Sequence, residues 1–110
     1  AQASPKEQCF LYAEIVHDMT EIAGQELSSG DSKHASDTLK AVQTYAQKIH
    51  MGMAEDTRKL KNAEILMRHT AFRLNEILHD AGLDDRPTLE ATLKQLDQVQ
   101  SELMMQVFKH

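Results

Sequence analysis

Three features of this 110-residue sequence predict an all-α fold: an antiparallel helical bundle of three to four helices in one domain spanning residues 1–110. Helix formers dominate, while strand-favouring aromatics are few, with three Phe, two Tyr and no Trp. Apolar residues recur at threes and fours along four stretches, the period of a helix that buries one face. Capping and helix-ending residues stand between those stretches, and the length suits a single core.

Ser4-Pro5-Lys6-Glu7 opens the first helix: Ser4 caps, Pro5 has no amide to leave unsatisfied, and Glu7 completes a capping box. Cys9, Tyr12, Ile15, Val16, Met19, Ile22, Ala23 and Leu27 then form a core-facing stripe that stops at Ser28-Ser29-Gly30. Asp31 or Ser32 caps the second helix, whose Ala35, Leu39, Val42, Ala46, Ile49 and Met53 make a heptad seam. Leu60, Ala63, Met67, Thr70, Leu74, Ile77 and Ala81 continue it in the same phase across Gly52. The break at Ala81-Gly82-Leu83-Asp84-Asp85-Arg86-Pro87 is unambiguous, and a last helix from Arg86 or Thr88 presents Leu89, Leu93, Leu96, Val99, Leu103 and Val107. All four glycines are assigned to stops or to Gly52.

Two architectures fit this pattern. A reversal between Gly52 and Asp56 closes a four-helix monomer, with Glu55 and Asp56 suited to a new helix start. Alternatively, helices 2 and 3 fuse into one rod from about Ser32 to Ala81. The unbroken phase, the helix formers Met53 and Ala54, and the cations Arg58, Lys59 and Lys61, which oppose a helix N-terminus, favour the rod. Because a rod leaves only two-helix hairpins at its ends, it implies a homo-oligomer, a dimer first.

A formal charge of −5, with basic residues spread among acidic ones, gives no electropositive face for nucleic acid. No apolar run is long enough to span a membrane. Cys9 sits among apolar neighbours and reads as a buried thiol. The small residues of Ala1-Gln2-Ala3-Ser4-Pro5 suit the neighbourhood of a signal-peptidase cut, so export, periplasmic or secreted, is expected. No phosphate-binding glycine loop, nucleophile elbow or supported Cys/His pair points to an enzyme, and no cofactor is expected. Arg58, Lys59, Lys61, Arg68 and Arg73, balanced by Glu55, Asp56 and Glu64, form a solvated face.

The most specific local feature is a near-repeat of Phe10–Asp18 and Phe72–Asp80, each copy carrying a Glu-x-x-His pair: Glu14 with His17 and Glu76 with His79. That spacing sets carboxylate and imidazole on one helix face, as in carboxylate-bridged metal centres of four-helix proteins. However, both pairs point away from the seam, and Asp31–Met53 holds no Glu to complete such a centre. A solvated face is therefore expected, with a metal site on Glu14, His17, Glu76 and His79 as the alternative. His50-Met51-Gly52-Met53 and Met104, Met105 and His110 offer soft donors of the kind that handle copper. Methionine at helical spacing more commonly fills a core.

Arg58-Lys59-Leu60-Lys61-Asn62-Ala63-Glu64-Ile65-Leu66-Met67-Arg68 and Asp85-Arg86-Pro87, with the leucine-rich helix ending in Val107-Phe108, resemble an uncharacterised family of small exported bacterial helical proteins. The likeness covers the last half of the chain. It implies export and assigns no activity to any residue. Together these readings predict a non-enzymatic exported helical protein that acts by self-association or partner binding.

Overall fold

A computed structural model describes residues 7–55 and 58–109. Among the described residues four helices form: α1 (Gln8–Ser28), α2 (Ser32–Gly52), α3 (Leu60–Asp80) and α4 (Arg86–Lys109). The expected start of α1 at Ser4-Pro5 lies outside the described residues. At its other end α1 stops as its sequence dictates. Gly30 adopts φ +82, its amide reaches the carbonyl of Leu27, and the Asp31 amide reaches that of Glu26, the paired bonds of a Schellman motif. Asp31 then caps α2 by accepting from the His34 amide at 3.3 Å. One short segment thus satisfies the end of one helix and the start of the next.

α1 packs beside α2 and α3, and α4 beside α2 and α3, so α2 and α3 face each other across a diagonal. Contacts between α1 and α3 keep a nearly constant sequence separation: 53 for His17 with Thr70 and 52 for Glu21 with Arg73. α2 and α4 do the same, at 52 for both His50 with Glu102 and Gln43 with Gln95. A constant separation means parallel helices, so the bundle sets two antiparallel hairpins side by side, like helix against like.

α2 and α3 are separate helices and not the single rod expected from sequence: α2 ends at Gly52 and α3 begins at Leu60. The connection, 53–59, is seven residues, one heptad, so the apolar count passes through a reversal without losing phase. Crossing the diagonal of a bundle with helices about 10 Å apart needs roughly 14 Å, well within the reach of seven residues. Met53 and Leu60 flank the crossing and are buried, which ties both ends to the core. Lys59, whose charge suits a helix start poorly, takes a left-handed φ of 60 there. Its ammonium lies 3.7 Å from a carboxylate oxygen of Glu7, the N-cap of α1, and 5.2 Å from the centre of the Phe10 ring on α1. With four helices of one chain enclosing the core, the inference that a dimer is required to complete unsupported hairpins loses its basis.

The seams read for α2, α3 and α4 are the buried faces, with Leu93, Val107 and Ala81 half-buried at the margins. α1 differs from its reading. Cys9, Ala13, Val16, Thr20, Ala23 and Gly24 face inward, while Tyr12, Ile15 and Met19 stand on the flanks and Ile22 is exposed. α1 turns its small residues toward both neighbours, which lets the backbones approach closely. Gly24 is buried within α1 and ends nothing. A Cβ there would lie 2.9 Å from Ile77 Cδ1. Gly52 has space, since its Cβ would meet only the Cys9 sulfur at 3.8 Å. Gly52→Ala is therefore expected to raise stability by some tenths of a kcal/mol in denaturant melts. Such a gain is no sign of a rod, because the residue is helical at the end of α2.

Three threonines, Thr20, Thr70 and Thr92, are fully buried in the core. Each hydroxyl donates to the carbonyl four residues before it, so none is orphaned. Cys9 is also buried, as expected, its thiol 3.6 Å from the Ile49 carbonyl oxygen.

Candidate functional site

Parallel α1 and α3 decide the fate of the two Glu-x-x-His pairs. The near-repeat is offset by 62 residues, whereas the helices pack at a register of 52 to 53. Glu76 and His79 consequently lie about nine residues, roughly 13 Å, further along the bundle than Glu14 and His17. His17 turns into the α1/α3 contact, where its Nδ1 is 3.2 Å from Thr70 Oγ1. Since that hydroxyl donates to Leu66, the imidazole donates to it. Glu14 is exposed. His79 Nδ1 donates to the Asn75 carbonyl at 2.8 Å, and Glu76 lies 3.7 Å from Arg73. The structure does not bring these four residues together, and among the described residues no group of three or more His, Cys, Asp or Glu side chains could hold a metal ion.

Parallel α2 and α4 have the opposite effect on the two methionine-bearing segments. Their C-terminal ends lie side by side, and the register of 52 sets Met105 level with Met53. Met53, the C-cap of α2, keeps helical geometry and so stands on the same side of the helix end as His50 three residues before it. A groove of about 230 Å³ between the helix ends is lined by His50, Met53, Glu102 and Met105, among others. His50 Nδ1 is 2.8 Å from a Glu102 carboxylate oxygen, so Nδ1 carries the proton donated to it and the neutral ring keeps its lone pair on Nε2. Met51 lines a different surface, Met104 is not part of this groove, and His110 lies outside the described residues. Nothing in the sequence alone singles out Glu102, because its role depends on helix register.

A smaller cavity of about 140 Å³ lies at the opposite end, bordered by Gly24, Arg73, Ile77, Asp80 and Asp85. Arg73 is already engaged there by Glu21 at 3.0 Å.

Glu64, read from sequence as part of a solvated face, is buried between α3 and α4. Burial opposes its ionisation, but the Arg68 guanidinium, bound at 2.8 and 3.0 Å, and the Gln100 amide at 2.8 Å outweigh that, holding the carboxyl below its ordinary range. Its pKa is lower folded than unfolded, so the stabilisation is present above the ordinary carboxylate range and lost as pH falls through the depressed folded value. Arg68→Met is expected to move acid unfolding, followed by circular dichroism, to higher pH.

Comparison with protein-family models, with curated proteins and with solved structures found no match for this chain. Its class therefore rests on its own architecture, a four-helix bundle made of two hairpins with parallel cross-pairs.

Proposed function

We propose that this chain is a non-enzymatic, exported helical protein that acts by self-association, with a second copy docking on the outer face of α3. One observation carries the reading. Of the apolar residues that α3 holds off its seam, Leu66 and Leu78 pack against the core of the same chain, but Ile65 and Phe72 stay exposed, Phe72 at 68%. They are seven residues apart and so share one stripe, and a large aromatic ring left in water is a feature of surfaces that associate. Two α3 helices laid back to back would cover it.

Sedimentation equilibrium tests this. The wild-type chain is expected to show a concentration-dependent rise toward dimer mass, and Phe72→Lys to weaken that association at least tenfold without lowering the melting point of dilute protein. A wild-type mass that stays monomeric to several hundred micromolar would overturn the proposal.

A further inference from the structure

The geometry points to a second role, independent of the first: the groove between the ends of α2 and α4 is a binding site for a single cuprous ion, held by His50, Met53 and Met105. Met105 is far from His50 and Met53 in sequence, and the three line one groove because the two helices are parallel at a register of 52. Their chemistry agrees on one metal. Thioether sulfur favours Cu(I), and imidazole also suits copper, whereas the hard ions that favour oxygen find one carboxylate in this groove, already bonded to His50. Glu102 is the positioning residue. By accepting from Nδ1 it fixes the ring and leaves the Nε2 lone pair for a ligand bond, the arrangement that metal-binding histidines commonly use. The two sulfurs differ in setting: Met53 is 5% exposed and anchored in the core, while Met105 is 64% exposed and able to close over an ion. A flexible thioether standing in water beside a buried one gains little from packing and is well placed to complete a soft coordination shell.

The test is an anaerobic titration with Cu(I), supplied as its acetonitrile complex, into protein purified without an added histidine tag and followed by NMR. The ε-methyl signals of Met53 and Met105 and the ring signals of His50 are expected to move together and saturate at one equivalent. Those of Met19 and Met67 should stay. Met105→Leu and His50→Gln, both at exposed positions, are each expected to weaken binding at least tenfold, and Glu102→Gln by about tenfold as the ring loses its orientation. Cys9→Ala, which removes the only thiol, is expected to bind as wild type does. Failure of the Met53 and Met105 methyls to shift by several equivalents would overturn the assignment. So would loss of binding in Cys9→Ala, unchanged binding in Met105→Leu, or a Zn²⁺ response at His50 and Glu102 that equals the Cu(I) response.

Discussion

Leu74→Ala is expected to lower the stability of the bundle by about 3 kcal/mol, and its melting temperature by roughly 10–20 °C. Leu74 is fully buried at the centre of the inward face of α3, so the substitution removes three carbons' worth of buried surface and leaves a cavity that neighbouring helices cannot fill. Against a total stability on the order of 5–15 kcal/mol for a domain this size, that is a large share. Two residues earlier on the same helix, Phe72 is exposed, and Phe72→Ala is expected to change dilute-protein stability by less than about 0.5 kcal/mol. Guanidinium melts of the two variants check the pair. Equal losses would mean that the inward face of α3 has been misassigned.

Gly24→Leu is expected to cost about 3 kcal/mol for the opposite reason, too much volume. The first carbon alone would stand 2.9 Å from Ile77 Cδ1 and 3.4 Å from Ile77 Cγ1, with Arg73 Nη2 at 3.8 Å. Ile77 can yield by a few tenths of an ångström to a methyl group. Gly24→Ala therefore stays within about 1 kcal/mol of wild type, the clash set against the helix propensity gained. A leucine has to push α1 and α3 apart, and Glu21 then loses Arg73. Thermal melts of both variants give the contrast, with the leucine variant far below the alanine one.

Much of this fold was legible because the governing forces act locally. The Ser28–Asp31 junction, the seam of α2 and the break after Ala81 follow from caps, glycine and apolar period, which need no knowledge of neighbours. The face of α1 was misjudged because the reading favoured the largest aliphatic side chains. Packing against two helices kept Cys9, Val16 and Ala23 of the expected stripe but added Ala13 and Gly24, whose value is the close approach they allow. The reversal after α2 was hidden by a seven-residue connection that preserves heptad phase. Glu64 looked like one of many surface charges, since its burial depends on Gln100 arriving from α4. The groove at His50 was half legible: both methionine segments stood out, but their meeting depends on α2 and α4 running parallel, a property of the whole bundle.

One chain closes the bundle by reversing between α2 and α3. The start of α2 and the end of α3 then share one end of the molecule, where Ser32 Oγ lies 3.2 Å from an Asp85 carboxylate oxygen at the start of α4. Pulsed electron resonance between spin labels at Lys33 and His79, both exposed, measures this directly in a Cys9→Ala background, diluted with unlabelled protein. A closed bundle predicts a separation of about 20–30 Å, consistent with overall dimensions of 42 × 28 × 18 Å. A distance near 70 Å, the length of an unbroken helix over those residues, would contradict it.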